Sequence, residues 1–114
     1  MAYLKTFSGS ILLSINDDKI KEFGGRIKYL INEDKVTDYS GSILYRFDGS
    51  YIKSFSGRIL LNVTSNQIKE YGGKILATFD QNYIKDFGGQ IRYRIDGFLS
   101  RREMMALIAV LYAV

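Results

Sequence analysis

The sequence predicts a mainly β domain of about twelve short antiparallel strands, arranged as a closed meander barrel around a C-terminal apolar α-helix. Three observations predict this fold: a sixteen-residue repeat that occurs six times, an alternating apolar pattern within each copy, and a final segment without a polar face. With 114 residues, the chain is expected to form a single domain. The repeats occupy residues 3–98 of this domain, and the helix segment occupies residues 99–114.

The six copies follow one another without insertion or deletion. Position two is Leu, Ile or Val, position five is Phe or Tyr, position seven is always Gly, and position nine is always Ile. Apolar residues at positions nine, eleven and thirteen alternate with a period of two, which indicates a half-buried strand. The glycine step at positions six and seven and the polar residues at fourteen to sixteen indicate tight turns. Each copy is therefore predicted to form a β-hairpin.

The predicted loop lengths set the register of the sheet. A two-residue loop at positions six and seven places position four opposite nine, and position two opposite eleven. A two-residue loop at fifteen and sixteen places position thirteen opposite position two of the next copy. Positions two, nine, eleven and thirteen then share one face and form the expected core. The aromatic residue at position five packs either on the outer face or, if a β-bulge turns it, inside.

The helix segment begins with a capping box, because Ser100 is followed three residues later by Glu103. From Met104 to Val114 no residue is charged, and Tyr112 carries the only polar side-chain group. A helix without a polar face is buried on all sides, and this segment is too short to cross a bilayer. A barrel of twelve strands is wider than the eight-stranded barrel that side chains just fill. We therefore expect a monomer with the helix in its centre; the alternative is an outer helix at the seam of a homodimer.

The repeat pattern is clearest in the sixth copy, which reads YIKDFGGQIRYRIDG. This pattern resembles the short hairpin repeats of the bacterial β-flower families over residues 3–98. The resemblance implies a flower-like ring of hairpins and implies no activity. Twelve strands around a C-terminal helix are also similar, at the level of the fold only, to the Tubby, LURP-one and phospholipid scramblase barrel. No motif matches Tubby's phosphoinositide-binding residues, so no residue role is carried over.

The composition argues against several kinds of chemistry. The chain has no Cys and no His, so it lacks disulfides, thiolate nucleophiles and the commonest catalytic base and metal ligand. Its glycines connect strand to strand, which differs from a phosphate-binding loop that leads into a helix. We therefore expect a protein that is not an enzyme and uses no cofactor. The first residues contain no long apolar signal-peptide core, so we expect a cytoplasmic location without a transmembrane segment.

The net charge is +4, from 16 basic and 12 acidic residues, which permits an anionic partner. Lysines at position three are expected near one rim of the barrel, where they form a candidate anion-binding site: Lys5, Lys21, Lys53, Lys69 and Lys85. The alternative is an outer strand face on which lysine maintains solubility and discourages edge pairing. Seven of the acidic residues fall in the second turns at the opposite rim, where turn chemistry is favoured over a Ca²⁺ site.

Two arginines at the start of the helix segment, Arg101 and Arg102, are unusual because cations in the first turn oppose the helix dipole. Every copy ends at the acidic rim, so the helix must begin there. We expect these arginines to pair with rim carboxylates such as Asp96 or Asp48. The alternative is that they bind a partner.

Three hypotheses for the function follow. The first is a non-enzymatic structural or interaction module with an unknown protein partner. The second is a peripheral binder of anionic lipid that uses the lysine-rich rim. The third and least favoured is a nucleic-acid binder, because the alternation places Tyr93 in the core, where it cannot stack on a base.

Overall fold

The computed structural model describes residues 2–113 and has twelve strands followed by one helix. Their bounds are β1 Ala2–Thr6, β2 Ile11–Asn16, β3 Lys19–Glu22, β4 Ile27–Asn32, β5 Lys35–Asp38, β6 Ile43–Phe47, β7 Tyr51–Ser54, β8 Ile59–Val63, β9 Gln67–Glu70, β10 Ile75–Phe79, β11 Tyr83–Asp86, β12 Ile91–Asp96 and α1 Arg101–Tyr112. All neighbours are antiparallel and follow chain order, and β1 closes the barrel against β12. The predicted fold class is confirmed.

The first turn of each hairpin is a three-residue loop and not the predicted two-residue loop. In the first copy, the Thr6 amide donates to the Ser10 carbonyl at 2.8 Å, and the Gly9 amide donates to the Thr6 carbonyl at 3.0 Å. Position four therefore faces position eight, and the predicted pairing with position nine is wrong. The glycine at position seven has φ between 91° and 100° in all six copies. Loops of this length need a glycine-like conformation at their last residue.

The remaining register agrees with the prediction, except at one bulge in each copy. Across the second turn Ile15 faces Ile20, and at the closure of the barrel Ile95 faces Leu4. Position two faces position eleven as predicted, and a β-bulge then shifts the register, so that position three faces position nine. The same shift occurs in the other five hairpins.

The core is formed by three of the four predicted positions. Side chains at positions two and thirteen are buried in all six copies, and those at position eleven are buried or packed against the same core. The isoleucines at position nine are only half-buried and lie outside this core, so the prediction is wrong for them. The β-bulge explains the difference, because it pairs position nine with position three, which is a lysine in five copies.

Helix α1 fills the barrel. Each of the six residues from Met104 to Ala109 is at most 3% exposed. Six consecutive residues cover more than one turn of 3.6 residues, so every face of the helix is enclosed. The capping box is present: the Glu103 amide donates to Ser100 Oγ at 3.2 Å, and the Ser100 amide donates to Glu103 Oε1 at 2.9 Å. Val114, the predicted end of the helix, lies outside the described residues. In residues 2–113 no helix has the length and apolar character needed to cross a membrane.

Candidate binding surface

The two sets of turns lie at opposite ends of the barrel, because neighbouring strands alternate in direction. We call positions five to eight of each copy the aromatic rim, and positions fourteen to sixteen the acidic rim. The molecule measures 36 × 33 × 20 Å. Strands of four to six residues span about 13–20 Å, which matches the shortest dimension. Each rim therefore surrounds a broad, flat end of the barrel.

Arg101 attaches the start of α1 to the acidic rim through main-chain oxygens. Its Nη2 donates to the carbonyl oxygens of Gly49 at 2.9 Å and Val63 at 3.0 Å, and its Nη1 donates to that of Thr64 at 3.1 Å. The guanidinium thus connects two neighbouring turns of the barrel to the helix. These contacts offset the unfavourable position of a cation in the first helical turn.

Arg102 makes the second attachment. Its Nη1 donates to Asp18 Oδ1 at 2.6 Å, and its Nε donates to the Glu33 carbonyl oxygen at 2.7 Å. Both arginines therefore bind the acidic rim, as their position in the sequence predicts. Arg102 pairs with a rim carboxylate as expected, but with Asp18, whereas the other arginine binds only main-chain oxygens within residues 2–113. The two partners named from the sequence, Asp48 and Asp96, form ion pairs with lysines in the described part of the chain.

These two lysines, Lys5 and Lys53, belong to the five position-three lysines that were expected to form one anion-binding site. Lys5 Nζ lies 2.9 Å from Asp96 Oδ2, and Lys53 Nζ lies 3.8 Å from Asp48 Oδ2. Both ammonium groups therefore lie beside the acidic rim. The sequence predicted the opposite rim, so the prediction is wrong for these two lysines. The long lysine stem lets a mid-strand residue reach the carboxylates at the end of the strand. The other three lysines of the candidate site are half-buried on the strands: Lys21, Lys69 and Lys85.

The aspartates of the acidic rim stabilise its turns. Asp48 Oδ1 accepts hydrogen bonds from the amides of Ser50 at 2.8 Å and Tyr51 at 2.7 Å, and Asp80 makes the equivalent bonds in its own turn. The main-chain hydrogen bonds from Ser50 and Tyr51 lower the pKa of Asp48. Within residues 2–113, no three carboxylates are grouped closely enough to hold a metal ion.

The aromatic rim carries a ring of exposed aromatic side chains. The six residues at position five are between 61% and 75% exposed: Phe7, Phe23, Tyr39, Phe55, Tyr71 and Phe87. Of the two orientations that the sequence left open, the structure shows the outward one. Exposed aromatic side chains that recur around one end of a barrel make that end a candidate interaction surface. The recurrence of an aromatic residue every sixteen positions, next to a turn, was the sequence signal for this surface.

Two equivalent clefts open between neighbouring hairpins of the aromatic rim. One cleft, of about 420 Å³, lies between the second and third copies, and the other, of about 650 Å³, lies between the fourth and fifth. Each is lined by an arginine at position eight and a tyrosine at position five of the next copy: Arg26 with Tyr39, and Arg58 with Tyr71. Glycine at position seven and isoleucine at position nine complete both linings. The larger cleft is also lined by Leu60, Glu70 and Gly72.

The charges of the barrel are divided between its two halves. Positions three to ten, which form the half with the aromatic rim, carry ten basic and four acidic residues. The ammonium groups of Lys5 and Lys53 reach the acidic rim, so eight of these basic groups remain in this half. The rest of the chain, with the acidic rim and the helix, carries six basic and eight acidic residues. The exposed aromatic ring therefore lies at the positively charged half.

Comparisons of the chain with protein-family models, with curated proteins and with solved structures find no match. The resemblance to β-flower repeats and the fold-level similarity to the Tubby and scramblase barrel therefore remain predictions.

Proposed function

We propose that this chain is a non-catalytic binding module that attaches peripherally to anionic lipid bilayers through its aromatic rim. The observation that supports this most is the ring of six exposed aromatic side chains in the positively charged half of the barrel. The non-catalytic part of the proposal rests on the sequence, which lacks His and Cys and contains no motif that pairs a nucleophile with a base.

Both features of the rim suit a bilayer surface. Aromatic side chains are favoured at the level of the lipid head groups, and all six exposed rings belong to the turns at one end of the barrel. Each basic residue near an anionic leaflet contributes about 1 kcal/mol of attraction. Stable peripheral attachment generally needs two such signals, an apolar one and an electrostatic one. The aromatic rim supplies both.

The contacting face differs from the lysine-rich rim predicted from the sequence. Lys5 and Lys53 are paired with carboxylates beside the acidic rim, which reduces their availability to lipid. The cations at position eight of the aromatic rim are exposed and lie next to the aromatic ring: Arg26, Arg58 and Lys74. The proposal therefore places the bilayer at the aromatic rim.

Vesicle sedimentation tests this proposal. We expect the protein to sediment with vesicles of phosphatidylcholine and phosphatidylserine, and much less with phosphatidylcholine alone. Replacing Phe23, Phe55 and Phe87 together by Ser should abolish sedimentation, since these side chains are exposed and the fold should persist. The matched control replaces Lys5 and Lys53 by Gln and should bind nearly as the wild type does. Undiminished binding of the triple phenylalanine variant would refute the proposal.

A protein partner is the second candidate, because aromatic residues are also enriched in protein interfaces. The same six rings would then form the contact. This candidate is favoured if the wild type ignores both vesicle compositions and a crosslinked partner is lost in the triple phenylalanine variant.

A further inference from the structure

Two arginines of the barrel differ from all the others in their surroundings. Five of the seven arginines have a partner: Arg46 donates to a main-chain oxygen, Arg92 pairs with Asp86, Arg94 lies over the Phe7 ring, and Arg101 and Arg102 bind the acidic rim. Arg26 and Arg58 make no side-chain hydrogen bond, ion pair or ring contact with any residue from 2 to 113. These two arginines are also the ones that line the clefts of the aromatic rim.

We propose that the two clefts are equivalent binding sites for a phosphate ester. The Arg26 guanidinium and the Tyr39 hydroxyl would hold the phosphate in one cleft, and Arg58 and Tyr71 would hold it in the other. The same arrangement occurs twice, two copies apart in the repeat, and an unpaired guanidinium beside a phenol is common to both.

The residue types suit this ligand. A guanidinium presents donors in a planar fork that matches two phosphate oxygens, and it is more weakly hydrated than an ammonium group. The tyrosine adds a hydroxyl donor and an aromatic face. At Gly25 and Gly57, as at the other glycines of position seven, no atom beyond the adjacent residues lies within 4 Å of where a Cβ would be, so no side chain fills the space beside these glycines. Ile27 and Ile59 line the clefts with apolar surface that fits the carbon skeleton of an ester.

The two clefts should differ in affinity. Glu70 lines the Arg58 cleft, and its carboxylate has no hydrogen bond or ion pair with residues 2–113, so it repels a phosphate there. The equivalent residue, Asp38, does not line its cleft and accepts three hydrogen bonds, of 2.7–3.0 Å, from Ser40 and Ser42. The Arg26 cleft should therefore bind the phosphate more tightly.

The source of the phosphate can be a lipid head group or a soluble ester. The lipid source rests on the proposed function, because the clefts open on the rim that would contact the bilayer. The soluble source does not depend on it. The test therefore measures the two sources separately.

The first arm uses ¹⁵N NMR of the arginine Nε–Hε groups during titration with glycerol 3-phosphate, with glycerol as the control. We expect saturable shifts at Arg26 and Arg58, with Arg26 saturating at the lower concentration. Arg92, equally at the surface but paired with Asp86 at 3.8 Å, should not shift saturably. Glu70→Gln should strengthen binding at Arg58 several-fold without changing Arg26. Equal shifts at Arg92, or the same shifts with glycerol, would overturn the inference.

The second arm compares Arg26→Gln/Arg58→Gln with Arg92→Gln on vesicles that contain phosphatidylserine. A several-fold weaker affinity of the double variant than of the Arg92 control supports the lipid source. Equal affinities, together with the shifts of the first arm, support a soluble ester. If the first arm fails while the wild type still sediments with vesicles, the clefts are not phosphate sites and the proposed function stands alone.

Discussion

Replacement of Leu107 by Ala tests whether the central helix is the core of the barrel. Leu107 is 0% exposed and lies inside the enclosed run from Met104 to Ala109. Leucine-to-alanine changes in cores cost about 2–5 kcal/mol, and the cost is higher where the site cannot collapse around the cavity. A helix enclosed by a closed barrel has little freedom to move towards one wall, so we expect a loss of about 4 kcal/mol. Domains of this kind have only about 5–15 kcal/mol of stability in total.

The assay is urea and thermal unfolding followed by circular dichroism. For a domain of this size, a loss of about 4 kcal/mol lowers the midpoint of thermal unfolding by roughly 15 °C. Leu12→Ala is the matched control, because Leu12 lies on β2 and is 38% exposed. The control should change the free energy of unfolding by less than about 1 kcal/mol.

Equal losses in Leu107→Ala and Leu12→Ala would refute the central position of the helix. Leu107→Asp separates the two architectures further, since it buries an unpaired charge if the helix is central. We then expect an unfolded chain. A folded monomer, measured by light scattering, would instead place the helix at the seam of a homodimer.

Three further predictions concern the turns, the acidic rim and alkaline pH. Gly73→Ala should cost about 1 kcal/mol or more in urea unfolding, because Gly73 has φ of 99°; Gly72→Ala, at a neighbouring glycine without positive φ, should cost clearly less. Arg101→Gln should lower stability by about 1–2 kcal/mol through the loss of three carbonyl contacts, whereas Arg26→Gln, which removes no side-chain hydrogen bond or ion pair with residues 2–113, should leave the unfolding midpoint unchanged. Burial raises the pKa of Tyr112 to about 12, so the unfolded chain loses this proton first and stability should fall as pH rises from about 10 to 12. The fall should be smaller in Tyr112→Phe, and an identical pH profile of the melting temperature would contradict this cause.

The hairpin order and most of the register could be predicted because they depend on local information. The two-residue loop of Asp17 and Asp18 is sufficient to place Ile15 opposite Ile20, and a loop of the same length joins each copy to the next. The bulge near position nine could not be derived from alternation, because alternation assumes one residue opposite one residue. A signal was nevertheless present: Ile11, Leu12 and Leu13 are three consecutive apolar residues, which a regular two-faced strand does not explain.

The candidate site was only partly predictable because its contacts join distant parts of the chain. The helix starts where every copy ends, so attachment of Arg102 to the acidic rim follows from topology. The choice of Asp18, 84 positions away, depends on how the barrel closes. The pairing of Lys5 with Asp96 depends on the same closure. The clefts were missed because each is formed by two neighbouring copies. Arg26 belongs to the second copy and Tyr39 to the third, so the pattern within one copy does not bring them together.

The two ends of the barrel should separate stability from binding. At the acidic rim, Arg101 and Arg102 hold the helix in the barrel, whereas the side chains at position five of the aromatic rim are exposed and support no core contact. Arg101→Gln should therefore lower the unfolding midpoint and leave vesicle affinity at low temperature unchanged. Phe23→Ser should do the reverse, because its ring is 75% exposed. The two variants should be measured side by side. If either one changed both the unfolding midpoint and the vesicle affinity to a similar extent, stability and binding would not be separated between the two ends of the barrel.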